Sequence, residues 1–485
     1  MATEMRKTPA LILLAAALSA CTVVGPDYQR PTTDAPPQWR IDYEQSAEVA
    51  NTEWWKQFGD PVLDGLIEQA LRNNPDLRIA AARIDQFTGQ LSTTRSQFYP
   101  QIGYGADASS NRSSKVGVPA LPPGGDPYFQ LYNAALSASW QLDLFGRVQR
   151  QSEAVQAQVY ASEQGRRGVV LSLTSAVAAS YVTLRGLDQQ LEIAKATAKN
   201  FAGTKEIFDK RFKGGVVSQV QVQQVESQYQ QALAAIPALE QQVAAQENLI
   251  STLIGRNPGP IARGKTIDGF ATPEVPAALP SSLLERRPDI LQAEQLLVAA
   301  NANVGVAQSL YYPTISLTGV LGLSSAALGD FLGSAAATWG LAAGLAGPLF
   351  TFGAIEGQVQ SAEAVQREAV ATYQQVVLNA FVETNDALVG TAKKREESGA
   401  QAKRVAALRE FARLAKRKFD NGYADYLEVL FAENELFAAE LVAVRTRIDS
   451  YTQLIAVYKA MGGGWVDQAA KLAPAPQSAA SSVAR

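Results

Sequence analysis

Cys21 is the one thiol in a chain of 485 residues that holds no histidine. Its setting matters because the usual chemistry is missing elsewhere. Zinc sites of the Cys/His kind, Cys–His nucleophile pairs and Ser-His-Asp triads are excluded for want of histidine. Disulfides within the chain need a second cysteine. No nucleophile–base pair, metal-ligand cluster or phosphate-cradling loop stands out, so no cofactor, no metal and no enzymatic activity are expected. The net charge of −3 argues against nucleic acid as a partner, because a phosphate-binding face needs a basic excess. What remains is Cys21 and a set of charged groups around two glycine turns, with Arg211, Lys418 and Glu428 among them.

Residues 1–20 read as a signal peptide. Arg6 and Lys7 give a basic start, and 11–18 is an apolar run too short to span a bilayer, which takes roughly 20 residues. Leu18-Ser19-Ala20-Cys21 resembles the lipobox of bacterial lipoproteins. The resemblance implies that Cys21 is lipidated on sulfur and becomes the mature N-terminus. Thr22 follows it; an aspartate there would resemble the inner-membrane retention signal, so sorting to the outer membrane is expected. One acyl chain anchors weakly, and stable attachment needs a second signal. Beyond residue 21 no apolar run reads as a transmembrane helix, so further membrane contact is expected to be β.

The chain repeats itself. Asn74-Pro75-Asp76-Leu77 returns as Arg287-Pro288-Asp289-Ile290, and Phe98-Tyr99-Pro100 as Tyr311-Tyr312-Pro313, both at an offset of 213. Phe145-Gly146 returns as Phe352-Gly353, Gly215 as Gly422 and Gly255 as Gly462, all at an offset of 207. One six-residue indel thus separates the copies. The boundaries read as an N-terminal extended segment 21–65, a first repeat 66–256, a linker 257–280, a second repeat 281–464 and a disordered tail 465–485 rich in Ala, Pro and Ser.

Inside each repeat the period changes to two. Leu136, Ala138, Trp140, Leu142 and Leu144 alternate with Ser137, Ser139, Gln141 and Asp143. Ile102, Tyr104 and Ala106, then Ile315 and Leu317, then Trp339, Leu341, Ala343 and Leu345 behave likewise. Each stretch is about ten residues, the length of a tilted membrane strand. The spacing predicts two hairpins, about 101–145 and 313–350. A Pro- and Gly-rich loop joins the first pair across 116–128. Four strands cannot close a barrel, and open edges are not viable in lipid, so insertion demands several copies.

After each hairpin a long helix is expected. From Arg147 to Lys213 there is no proline, a run on the order of 100 Å as a helix. Val170, Leu173, Val177, Ser180, Leu184, Leu187 and Leu191 keep a three-four spacing, as do Val222, Val225, Tyr229 and Ala232 and later Phe437, Leu441, Val444 and Ile448. These read as coiled-coil seams. Pro237 is expected to kink its helix. The paired helices turn at Lys213-Gly214-Gly215 and Asp420-Asn421-Gly422, where glycine and asparagine suit a left-handed helix end. Arg211, Lys213, Arg413, Lys416, Arg417 and Lys418 make both approaches basic, which suits either helix-dipole compensation or docking of a partner.

The chain resembles the TolC-type outer-membrane efflux family in its lipoprotein branch, the OprM and NodT-like proteins. The motifs that carry this are Cys21 to Tyr28, Trp54-Trp55 with Phe58-Gly59-Asp60-Pro61, Asn74-Pro75-Asp76-Leu77, Phe98-Tyr99-Pro100, Asp143 to Arg147, Arg286 to Asp289, Gly347 to Phe350 and Gly462 to Trp465. They span residues 21 to 466. The resemblance implies a homotrimer, with twelve strands in one outer-membrane barrel and a periplasmic tunnel of twelve helices. It implies a periplasmic adaptor, an inner-membrane pump of the resistance-nodulation-division type, and drugs or other small molecules as cargo; a duct for protein or oligosaccharide secretion is the alternative. The turns at Gly214, Gly215, Asn421 and Gly422, with Arg211 and Lys418, become candidates for adaptor docking. Family members narrow the tip with acidic residues a few positions past the turn glycine. The matching positions here are Glu428, the non-acidic Phe431 and, in the first repeat, Gln221, so a thinner acidic ring with a hydrophobic constriction is expected.

Overall fold

The structure, a computed structural model, describes residues 23–32, 53–114, 125–273, 275, 287–462 and 465–477. Cys21 and the signal sequence lie outside the described residues, as does most of the 116–128 loop. Two short helices open the repeat, α1 (Pro61–Asn73) and α2 (Pro75–Ser96), followed by strands β1 (Gln101–Arg112) and β2 (Tyr128–Leu142). Then come α3 (Arg147–Lys213) and α4 (Gln219–Leu253). The second repeat supplies α5 (Pro288–Gln308), β3 (Thr314–Ser325), β4 (Ala337–Ala346), α6 (Ala354–Asp420) and α7 (Tyr426–Met461), and a short α8 (Trp465–Ala470) ends the described chain. The duplication is visible in the bounds: α3 and α6 are 67 residues each.

The residues form two compact units. The first takes the described parts of Met1–Pro31, Gln86–Ala161 and Glu294–Thr372. It holds the sheet, whose four antiparallel strands run in the order β1-β2-β3-β4. Below the strands, α3 and α5 meet through Ala154, Ala157, Ala299 and Ala302, all buried. Side chains this small let two helix backbones approach closely.

The second unit takes the described parts of Thr32–Asp85, Ser162–Ala293 and Tyr373–Arg485. Its core gathers Trp54, Trp55 and Phe58 against Tyr181, Leu184, Ile455 and Tyr458. Trp54 stacks on Tyr458 with ring centroids 5.0 Å apart. Asp60 caps α1 by accepting from Val62 N at 2.9 Å. Although buried, its carboxylate also accepts from the Tyr181 hydroxyl and from Lys265 N, each at 2.9 Å. A buried carboxylate is tolerated when its oxygens are satisfied in this way. The Trp-Trp-x-x-Phe-Gly-Asp-Pro motif is therefore a packing device.

The seam residues of α3 are buried, among them Val170, Val177 and Leu184. One 18-residue stretch of α3 is apolar enough to cross a membrane by length and composition. This departs from the expectation that no such run lies beyond residue 21, and most of the stretch is buried within the protein. The helix α4 continues through Pro237. In the 257–280 linker the described residues Ile261, Ile267, Phe270 and Val275 are buried. One further expectation needs correction. The tail expected to be disordered from 465 is ordered as far as 477. Ala469 and Ala473 are buried, and Arg166 donates to the carbonyls of Ala470 and Ala473 at 3.0 and 3.3 Å. Its small apolar residues fill space, which a composition rich in Ala and Pro concealed.

Candidate membrane face and helical tips

The register of the sheet decides its two faces, because residues directly opposite one another project to the same side. Tyr104 stands opposite Leu136, which stands opposite Leu321, which stands opposite Trp339. Ala138, Gly319 and Leu341 share that side with Ile102, and Trp140, Leu317 and Ala343 continue it. The other side carries Gly103, Gly105, Asp107, Asn133, Ser137, Ser139, Gln141, Ser316, Thr318, Gly340 and Gly344. One face is thus apolar across all four strands, and the other is mostly small and polar, with Phe129, Leu131 and Val320 as its large apolar members. Tyr104 is 89% exposed and Leu341 81%. So large an open apolar face needs an apolar neighbour, and a bilayer supplies it. Trp140 and Trp339 on that face suit the amphipathic belts of a membrane protein.

The strand-to-helix joints are built differently in the two repeats. Phe145 stacks on Tyr312 at 4.7 Å, just below the β2–β3 pair. The N-terminal strap, residues 23–30, is seated on this joint. Val24 N donates to Phe145 O at 3.1 Å. Arg150 donates to the carbonyls of Val24 and Gly25 at 3.1 Å each and to Asp27 at 2.8 Å. Asn301 donates to Pro26 O at 2.8 Å. Gly25, with a φ of +104°, lies so close to Gly305 that a Cβ on it would sit 2.4 Å from the Gly305 Cα. Sequence reasoning missed Arg150 and Gly305. Val24-Gly25-Pro26-Asp27 falls within the Cys21–Tyr28 motif, but Arg150, which receives it, lies 125 residues from Gly25.

The two tips share one design. Gly215 and Gly422 take φ of +70° and +77°. Val216 N bonds Arg211 O and Gly215 N bonds Phe212 O, both at 2.9 Å; Tyr423 N bonds Lys418 O at 2.9 Å and Gly422 N bonds Phe419 O at 3.0 Å. These paired bonds satisfy the last carbonyls of α3 and α6. Asn421 is not left-handed; its side chain donates to Arg417 O at 2.7 Å. Phe208, Phe419 and Tyr426 pack together beneath the turns, and burial pushes the Tyr426 hydroxyl up to about 12. Arg211 lies over the Phe419 ring at 5.3 Å.

The gate candidates lie in the first two turns of α4 and α7. Gln221 completes a capping box with Ser218 at the start of α4. Its Nε2 reaches Asp425 Oδ1 at 3.4 Å. Glu428 pairs with Lys418 at 3.2 Å. Phe431 is 61% exposed, edge-on to Phe411 at 6.4 Å. The candidate docking residues Gly214, Gly215, Asn421 and Gly422 are exposed, and beside them so are Val216, Val220, Tyr423 and Leu427. Asp425 was missed, although an aspartate just ahead of an apolar helix is an N-cap signal.

A duplicated chain with a one-sided membrane sheet and long coiled-coil helices is the architecture of an outer-membrane channel subunit. The outer membrane efflux protein family pattern matches residues 66–256 and 279–463. The chain belongs to that family. The toluene efflux pump outer membrane protein TtgC of Pseudomonas putida is 32% identical over 468 residues, 94% of this chain and 96% of its own. The cation efflux system protein CusC of Escherichia coli O6:H1 is 31% identical over 458 residues, covering 93% and 97%. The open-state outer membrane channel MtrE of Neisseria gonorrhoeae superposes with a TM-score of 0.83 at 29% identity, over 92% of this chain and 99% of that one. This is an efflux protein of the outer membrane.

Proposed function

We propose that three copies close into one twelve-strand barrel, anchored by lipid at Cys21, and form the exit duct of a three-part efflux system. A periplasmic adaptor docks on the tips, and an inner-membrane pump of the resistance-nodulation-division type delivers drugs or other small toxic molecules into the tunnel. The duct itself conducts passively. In this reading the repeats 66–256 and 281–464 are two near-equivalent walls of one tunnel, and Glu428, Phe431 and Gln221 narrow its periplasmic end.

The observation that carries the proposal is the sheet, apolar on one face, whose edge strands β1 and β4 each pair on one side only among the described residues. Lipid does not tolerate such edges, so copies must close them. Two copies would give eight strands, whose interior is filled by side chains; three leave a lumen. The polar face, rich in Gly, Ser and Thr, favours an open passage. The exposed Val216, Val220, Tyr423 and Leu427 favour a protein partner at the tips. The test is a deletion strain challenged with hydrophobic drugs, solvents and metal cations, alongside the mass of the purified protein in detergent. Raised sensitivity to a subset of these and a three-copy mass are expected. A strain indifferent to every compound would sink the efflux reading, and a monomer in detergent would sink the duct.

A further inference from the structure

The strand-to-helix joint below β2 and β3 has a twin that a single chain leaves incomplete. The offsets of the duplication map Phe145 onto Phe352 and Tyr312 onto Tyr99. Phe145 and Tyr312 stack on each other. Phe352 is 100% exposed and Tyr99 69% exposed. They sit at the two outer edges of the sheet, Tyr99 just before β1 and Phe352 just after β4. Phe352 also has a φ of +49°, alone among the non-glycine residues described, whereas Phe145 does not. A bulky residue in that region is strained unless its surroundings hold it there.

The strands repeat the contrast. β1 and β3 have the same length at an offset of 213. β2 ends at Leu142, whose counterpart at the 207 offset is Leu349, but β4 stops at Ala346. The missing residues are those that β2 pairs with β3 and that β4 has nothing to pair with. In the complete joint Leu142 stands opposite Ile315 and Ala138 opposite Gly319. Their counterparts are Leu349 with Ile102 and Leu345 with Ala106, and each pair is exposed in the single chain.

We propose that the seam between neighbouring copies reproduces the β2–β3 joint: Leu345 of one copy stands opposite Ala106 of the next, β4 extends to Leu349, and Phe352 stacks on Tyr99 across the seam. This rests on the closed assembly proposed above and assigns its register. The register obeys the faces without adjustment, since Leu345, Ala106 and Ile102 lie on the apolar side and Leu349, an even number of residues beyond Leu345, joins them. A register shifted by one residue would turn one edge strand over and put Leu345 opposite a residue of the polar face.

Paired cysteines test the register, because directly opposite Cα atoms stand about 4.5–5.5 Å apart, within disulfide reach. Within one chain β1 and β4 are three strand spacings apart, on the order of 14 Å, so any bridge must join two copies. Leu345→Cys with Ala106→Cys should oxidise to a ladder ending in a covalent trimer. Leu345→Cys with Tyr104→Cys or with Ala108→Cys should not. A trimer by mass that cross-links only in a shifted pair, or in none, overturns the register while leaving the trimer intact. A protein that is not trimeric removes the closed assembly itself. Phe352→Ala and Tyr99→Ala test the stack without cysteines. Each should lower the temperature at which the trimer dissociates in detergent, and the double variant should be no worse than the poorer single one. Additive losses, or none, overturn the stack.

Discussion

Gln221 near one tip holds Asp425 near the other, Nε2 to Oδ1 at 3.4 Å, while its Oε1 accepts from the backbone N–H of Ser218 at 3.0 Å. One side chain thus caps the start of α4 and ties it to the start of α7. Its counterpart in the second repeat is Glu428, which faces Lys418 instead. The internal symmetry of the chain is broken at this position. Gln221→Ala removes one side of the capping box, a loss of about 0.5–1.5 kcal/mol, and breaks the polar link between the two tips. In planar bilayers its channels are expected to open more often than wild type while the open-state conductance stays the same. Unaltered opening frequency would show that the link does not restrain the tips.

The Lys418–Glu428 pair changes what the acidic position can do. A ring of three bare carboxylates would favour cations, but each carboxylate here has a lysine at 3.2 Å. Lys418→Met leaves Glu428 uncompensated and is expected to move the reversal potential in a salt gradient toward cation preference. Glu428→Ala is expected to move it the other way, and Phe431→Ala to raise conductance without moving it. The exposed pair is screened by salt, so the shifts shrink as ionic strength rises. Reversal potentials equal to wild type for Lys418→Met and Glu428→Ala, with an unchanged conductance for Phe431→Ala, would place these residues off the conduction path.

Local pattern carried most of the fold. The strands announced themselves because one face of each is apolar, and period two needs no knowledge of the partner strand. The turns at Gly215 and Gly422 were legible because the left-handed ends of α3 and α6 required glycine. The strap was not, since what holds it, Arg150 and Asn301, is distant in sequence and unremarkable in type. Asn421 misled for a related reason. Asparagine tolerates the left-handed region, yet the neighbouring glycine takes it at less cost, leaving the Asn421 side chain to donate to Arg417 O. At the gate position, sequence ordered the residues along α7 but could not show that Lys418, ten residues earlier on another helix, faces Glu428.

Glu433 lies in a cavity of about 350 Å³ between α3, α6 and α7. The charged groups that face it are Arg413, Lys416 and Glu440. Arg413 is engaged by Glu410, Glu440 by Arg409 and Lys416 by Asp420. Burial raises the Glu433 carboxyl above its ordinary 4.5, with Lys416 opposing. An acid raised in the native state binds its proton more tightly there than in the unfolded chain. The stability this confers is complete below the ordinary value and is lost as pH rises through the native one. Glu433→Gln is therefore expected to unfold at a higher temperature than wild type at pH 7, and at the same temperature near pH 4. Thermal melts across that range check it; a glutamine variant less stable at pH 7 would mean that the charge is wanted.

Cys21 is the candidate anchor, but the strap that follows it is already fixed. Between Val23 and Arg30 the chain is bonded to Phe145, Arg150, Asn301 and Glu294, the last receiving Tyr28 at 3.1 Å and Arg30 at 3.0 Å. The Arg150 side chain is only 6% exposed, so removing it strands the carbonyls of Val24 and Gly25. Arg150→Met is expected to cost about 1–3 kcal/mol and to make residues 23–30 a protease target in the folded protein. Cys21→Ser behind an ordinary cleavable signal is expected to form trimers in the outer membrane still, because four strands and a seated strap remain. The two substitutions together should fail where each alone succeeds, since lipid and clamp then both are gone. Membrane fractionation with trimer detection separates the outcomes. A Cys21→Ser protein found monomeric in the periplasm would mean that lipid, rather than the apolar face of the sheet, brings this chain to the membrane.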